Sequence, residues 1–267
     1  MRELTLRVPR EAVEDVLDRL LPLVPGGVRE VPRNRDVELR LRGEPLPNRD
    51  ELISAAGRWP HELSEREVPD DWRERRLLDY RPEAIGGRLV VRPDWAPAPG
   101  DATLDIVLSE ASAFGAGTHP TTRTCLELLL QARPLGSFAD LGCGTGVLAI
   151  LAAKLGWRPV VAIDIQPESI EAIAANAAAN GVSVDARSVD LSSQGPPAAD
   201  GFAANVPSAL HQRISASLPT PVPRLAVLGG YRPTDAGDVL AGYAACGLRA
   251  ARELQRDGWA VALLERD

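Results

Sequence analysis

Residues 139–150 read ADLGCGTGVLAI, and how this stretch is taken decides the fold. An apolar run ends in Asp140, the glycines Gly142, Gly144 and Gly146 alternate, and a helical run begins at Val147. Strand, tight glycine turn and helix in direct succession open a βαβ unit. The glycines let the backbone turn sharply and lie against a ligand at the carboxyl edge of a parallel sheet. The spacing is G-x-G-x-G. A dinucleotide fingerprint is G-x-G-x-x-G, and Val147 stands where its third glycine belongs, which disfavours a nicotinamide site. Asp140, Gly142, Cys143, Gly144 and Gly146 are therefore candidate contacts for some other cofactor.

Toward the C-terminus the rhythm of the chain continues. PVVAID is a strand ending in Asp164, and PESIEAIAANAAANG is a helix. VSVDARSV and DGFAAN are further strands, PSALHQRISASL a helix, RLAVLGG a strand and TDAGDVLAGYAACG a helix. LRAARELQ and WAVALLE close the chain as consecutive strands joined at Asp257-Gly258. This alternation predicts a doubly wound, mainly parallel α/β sheet with an antiparallel hairpin at one edge. Asp164 at the end of the second strand has two readings: an acceptor for both hydroxyls of a ribose, or an N-cap for the helix that follows. Ile165 follows it at the same ligand-facing edge. Asp190, in VDLSS, either reaches an adenine amino group or is an ordinary turn residue.

Toward the N-terminus, residues 112–130 read SAFGAGTHPTTRTCLELLL. Gly115 and Gly117 loosen the backbone, Thr118 offers an N-cap hydroxyl, and Pro120 suits a first helical turn. The helix buries Cys125, Leu126, Leu128 and Leu129; its start is either a well-capped helix end after a turn or a row of free N–H groups facing a ligand. RLVVRP and TLDIVL before it are strands. Residues 68–93, with the charged and Pro/Gly-rich PDDWRERRLLDYRPEAIGG, form a linker. Residues 1–67 show the order β-α-β-β-α-β of a ferredoxin-like α+β fold, with Asn48 capping the second helix and no catalytic cluster. They are expected to recognise a substrate, while residues 94–267 carry the cofactor.

The composition sets limits. Of 267 residues, 45% are apolar and 25% charged, as in a globular domain. No apolar run approaches the ~18 residues that span a bilayer, which excludes a membrane role. The net charge of −7 argues against direct nucleic-acid binding. Three cysteines, Cys125, Cys143 and Cys246, have no metal-ligand spacing and suit a reducing cytoplasm. No metal is expected.

Asp140, the glycine loop and Asp164 resemble the motifs of class I S-adenosylmethionine-dependent methyltransferases, and the final hairpin resembles the antiparallel last strand of that fold. FGAGTHPTT, DLGCGTGVLAI, AIDIQPESIEAIAANAAANG and AANVPSAL together resemble the methyltransferase family that modifies the large-subunit ribosomal protein eleven. The small N-terminal domain and the linker with DDW are similar too. The resemblance implies S-adenosyl-L-methionine as cofactor, a protein N-methyltransferase activity and a ribosomal protein as partner. It implies cofactor contacts at Thr122, with Thr118 and His119 nearby, and at Gly142, Asp164 and Asn205. It further implies that the loop before the helix closes over the cofactor.

Two segments depart from the family. Asn205-Val206-Pro207-Ser208 replaces a pattern with an apolar residue and alanine, and LGGY replaces Ser-Gly-Ile-Leu after the fifth strand. Both border the acceptor, so an acceptor on another protein or a small metabolite stands as an alternative, as does a cofactor-binding protein without activity. Within the methyltransferase reading, Asn205 is the candidate catalytic residue, orienting the acceptor nitrogen through its side-chain carbonyl.

Overall fold

The computed structural model describes residues 2–24, 28–42, 46–67, 84–98, 100, 104–109 and 119–266. The chain divides into two compact units, Met1–Arg81 and Pro82–Asp267.

In the first unit, β1 (Arg2–Pro9), α1 (Val13–Leu20), β2 (Val28–Pro32), β3 (Asp36–Arg42), α2 (Arg49–Ala56) and β4 (Glu62–Glu67) follow in chain order. The antiparallel sheet runs β2-β3-β1-β4. Leu4, Leu6 and Val8 point to one side of β1, as strand alternation requires, and pack with Val13, Val16 and Leu20 of α1 and Leu52 and Ala55 of α2. Asn48 caps α2 in a full capping box: its side chain accepts from the Glu51 N–H while Glu51 accepts from the Asn48 N–H.

The second unit contains a short parallel ladder, β5 (Leu89–Pro93) with β6 (Leu104–Leu108). After α3 (Pro120–Leu129) come β7 (Phe138–Leu141), α4 (Val147–Leu155), β8 (Val160–Asp164), α5 (Pro167–Ala179) and β9 (Asp185–Ser188). Then follow β10 (Gly201–Asn205), α6 (Ser208–Ala216), β11 (Leu225–Tyr231), α7 (Ala236–Ala244), β12 (Leu248–Arg256) and β13 (Trp259–Arg266). The large sheet has seven strands in the order β12-β13-β11-β10-β7-β8-β9. Strands β7 to β11 pair in parallel, whereas β13 enters antiparallel between β11 and β12. The strand order reverses at β7, so the carboxyl ends of β7 and β10 open the crevice where such sheets bind ligands.

Two cores cover the two faces. Cys125, Leu126 and Leu129 of α3, most of α4 and Ile173 of α5 pack on one face, together with Leu89 and Ile106 of the short ladder. Ile214 of α6 and Val239 and Tyr243 of α7 pack on the other. Strand β5 thus lies in the second unit, which starts at Pro82, while residues 68–83 of the expected linker fall outside the described residues.

Candidate functional site

Between β7 and α4 the glycine loop adopts left-handed φ angles at Gly142 (73°), Gly144 (51°) and Gly146 (76°), a region L side chains rarely enter. Two of these glycines also answer to their neighbours. A Cβ on Gly142 would lie 2.7 Å from Val206 Cγ1, and one on Gly146 would lie 1.6 Å from Ile173 Cδ1. The loop therefore hugs α5 on one side and the segment after β10 on the other. Asp140 is 1% exposed beneath it and accepts at Oδ2 from the Ala149 N–H at 3.0 Å, capping the first turn of α4 from the strand. Burial pushes its pKa up to about 7, with the Asp164 charge adding to the rise. Burial likewise raises the Cys143 thiol, so the loop cysteine is no thiolate near neutral pH.

Asp164 closes the far side of the loop. One carboxylate oxygen accepts from the Gly144 N–H at 2.9 Å, the other from the Gln166 N–H at 3.0 Å. The N-cap reading does not hold, since Gln166 is the N-cap of α5; Asp164 instead ties down the glycine loop and the turn into α5 and stands at the sheet's carboxyl edge. Ile165 beside it is 60% exposed, an apolar side chain facing solvent at that same edge. Asp190 takes the turn role in this structure: it accepts from the Ser192 N–H at 2.8 Å and the Ser193 hydroxyl at 3.1 Å. Its hydrogen bonds to Ser192 lead the causes that lower its pKa.

Across the crevice, Asn205 ends β10. Its Nδ2 donates to Thr122 Oγ1 of α3 at 3.3 Å, and its Oδ1 is buried with no hydrogen-bond partner among the described residues. A buried carbonyl oxygen left unpaired costs roughly 1–3 kcal/mol. His119, not Thr118, is the N-cap of α3: its Nδ1 accepts from the Thr121 N–H and lies 2.7 Å from Thr121 Oγ1. The physical reason is Pro120, which takes the first helical position and leaves the residue before it extended. Burial leads the lowering of the His119 pKa, followed by the Arg232 charge, and its ring meets Trp259 edge-on at 5.2 Å. Thr118 and the glycines of the expected lid, Gly115 and Gly117, lie outside the described residues.

Three residues in the two segments that depart from the family pack together beside Asn205. Val206 contacts the loop at Gly142, while Gly229 and Gly230 of β11 press against Asn205 and Val206. A Cβ on Gly230 would lie 2.5 Å from the Val206 carbonyl oxygen. The glycine pair in LGGY was the available signal. Among the described residues no group of three or more His, Cys, Asp or Glu is arranged to hold a metal ion, and no helix is long and apolar enough to cross a membrane.

Comparison with known proteins matches residues 50–262 to the family model described as ribosomal protein L11 methyltransferase. A ribosomal protein L11 methyltransferase of Burkholderia orbicola is 34% identical over 278 residues, covering 91% of this chain and 91% of its own. One from Azotobacter vinelandii is 36% identical over 208 residues, covering 76% and 70%. Among solved structures, the ribosomal protein L11 methylase of Lactobacillus delbrueckii subsp. bulgaricus superposes with a TM-score of 0.60 at 24% identity. That match covers 70% of this chain and 98% of that one and bears on the fold, a class I methyltransferase-like mixed sheet.

Proposed function

This chain belongs to the ribosomal protein L11 methyltransferase family, and from that premise we propose that it methylates amino groups of ribosomal protein L11. It is an S-adenosylmethionine-dependent methyltransferase, as membership implies. The acceptor is the proposal, and it rests on Asn205 at the carboxyl end of β10, whose buried Oδ1 has no hydrogen-bond partner among the described residues and would receive an amine N–H from the acceptor.

The residues present suit the cofactor. The loop has glycines at 142, 144 and 146 and no pyrophosphate-binding third spacing, which fits a ligand without phosphates. Asp164 would accept from a hydroxyl pair and Ile165 would lie against a flat base. Asp140 would face an ammonium, whose positive charge favours the carboxylate that burial disfavours. Thr122, paired with Asn205, would line the same space. When bound, S-adenosylmethionine supplies a methyl group already activated on a sulfonium, so the chain need not generate an electrophile.

What remains for the protein is alignment and exclusion of water, and alignment alone is worth roughly 7–11 kcal/mol. An acceptor amine, with an ordinary pKa of ~10.4, must shed its proton before it attacks. A desolvated setting beside Asn205 and the buried Val206 would favour the neutral amine. Asn205 Oδ1 then accepts from one N–H and turns the nitrogen lone pair toward the methyl group.

For the first unit, the element order and the strand order β2-β3-β1-β4 support a ferredoxin-like recognition domain over residues 1–67, which precedes the methyltransferase unit beginning at Pro82. A ribosomal protein substrate gives the reaction a cytoplasmic setting. The net charge of −7 favours a protein partner over bare nucleic acid.

Incubating the purified protein and methyl-labelled S-adenosylmethionine with ribosomal proteins from cells lacking this gene tests the acceptor. Label is expected on L11. Label confined to another protein or to small molecules would overturn this choice of substrate.

A further inference from the structure

We propose that His211 of α6 is a positioning residue for methyl transfer: it holds the Gly229 carbonyl, and through it the Asn205–Val206 backbone, in the arrangement that presents Asn205 to the acceptor nitrogen. The inference rests on the reading of Asn205 as the acceptor-site residue.

His211 is 0% exposed, and both ring nitrogens have partners. Nε2 lies 2.8 Å from the Gly229 carbonyl oxygen and Nδ1 lies 3.0 Å from the Tyr243 hydroxyl. A carbonyl only accepts, so Nε2 carries the proton and donates to it, and Nδ1 accepts from Tyr243. Burial supports this assignment by pulling the imidazole pKa down to about 4, which leaves the ring neutral near pH 7. Tyr231 packs edge-on against the ring at 5.4 Å and Tyr243 at 5.9 Å, fixing its plane.

The held carbonyl sits at a weak point of the sheet. The register of β11 against β13 shifts between Leu228 and Tyr231, across two glycines. There the ladder to β13 is interrupted, and glycine contributes no side chain to restrain the backbone. Gly229 is also the register partner of Asn205, and its carbonyl accepts from the Val206 N–H at 3.1 Å. A Cβ on Gly229 would lie 3.0 Å from Asn205 Oδ1. One carbonyl therefore receives two donors, the residue following Asn205 and an imidazole anchored to α7. A leucine at position 211 would fill much of the same volume but leave Gly229 with one donor and the Tyr243 hydroxyl unpaired. This is the logic by which outer hydrogen bonds orient an inner group, and misplacement by ~1 Å at a reacting centre can cost about 100-fold in rate.

The test uses the full chain with S-adenosylmethionine and L11, comparing His211→Leu, His211→Gln, Tyr243→Phe and Asn205→Ala. His211→Leu is expected to lower kcat about tenfold or more while cofactor Kd, by calorimetry, stays within about twofold. His211→Gln keeps an amide N–H for the Gly229 carbonyl and is expected to recover most of that loss. Tyr243→Phe, nearly isosteric, is expected to lower kcat by a few-fold with cofactor Kd unchanged. A folded His211→Leu with wild-type kcat, or a loss matched by weakened cofactor binding and not rescued by Gln, overturns the inference. If His211→Leu does not fold, an unchanged kcat in Tyr243→Phe overturns it instead. Full activity of Asn205→Ala overturns the underlying reading, and the role of His211 with it.

Discussion

Burial holds the Asp140 pKa at about 7 in the folded chain, above the ~3.9 of an unfolded carboxyl. The fold therefore prefers the protonated acid. Its contribution to stability is complete below about pH 4 and is lost as pH rises toward and through 7, each unit being worth up to ~1.4 kcal/mol. Asp140→Asn keeps an oxygen for the Ala149 N–H without the charge. It is expected to raise the melting temperature at pH 8 and to flatten the decline between pH 5 and 8; thermal denaturation across that range checks this. A parallel decline in both proteins would remove Asp140 as the cause. At Asp164, replacement by alanine removes a carboxylate and releases the Gly144 N–H, so cofactor affinity should fall tenfold or more, since charge-assisted bonds are worth about 1.5–3 kcal/mol each. Calorimetry giving the wild-type Kd would exclude Asp164 from the cofactor site. The glycine loop, Asp164 and Asn205 stand at the carboxyl ends of β7, β8 and β10, and they were legible in the sequence because their type is dictated by backbone conformation or charge. His211 escaped notice because nothing local marks it, and Val206 was noticed only as part of a departing segment. Their roles arise from register between β10 and β11 and from a helix packed behind them.

Gly146 shows how an element is seated by a missing side chain. With φ at 76° and Ile173 of α5 packed where a Cβ would be, Gly146→Ala is expected to destabilise the fold by roughly 2–4 kcal/mol through backbone strain and overpacking. Urea denaturation measures this. Adding Ile173→Ala should make the double variant less destabilised than the sum of the singles, and strict additivity would show that the two positions do not collide. Elements were legible where periodicity was long: α4 and α5 and the strands β7, β8 and β10 sit within the stretches that pattern predicts. Ends were less legible. Strand β9 is confined to Asp185–Ser188, mostly exposed at the sheet edge, whereas β11 runs one residue past the predicted RLAVLGG to Tyr231, which pairs with Ala260. The predicted strand ended with the glycines, but β13, far along the chain, supplies a partner for Tyr231 beyond them.

For the whole molecule, the βα rhythm foretold a doubly wound sheet, and the final hairpin foretold an antiparallel edge. What rhythm cannot encode is that β13 inserts between β11 and β12, because insertion order depends on which strand best buries its two faces. Each unit has a core of its own, so a fragment beginning at Pro82 is expected to bind S-adenosylmethionine with near wild-type affinity and yet to methylate L11 at least tenfold more slowly, because remote docking raises the effective concentration of acceptor. A fragment as active as the full chain would deny the first unit a docking role. The central claim, that the crevice at the ends of β7 and β10 moves methyl groups onto L11 through Asn205, is met most directly by intact-mass spectrometry of purified L11 after incubation with cofactor and either the wild-type chain or Asn205→Ala. The account predicts methyl-sized mass increments with matching S-adenosylhomocysteine for the wild type, and at least tenfold slower appearance of both for Asn205→Ala with cofactor binding retained. Unmodified L11 in the presence of active wild-type protein, or equal rates for the two chains, would contradict it.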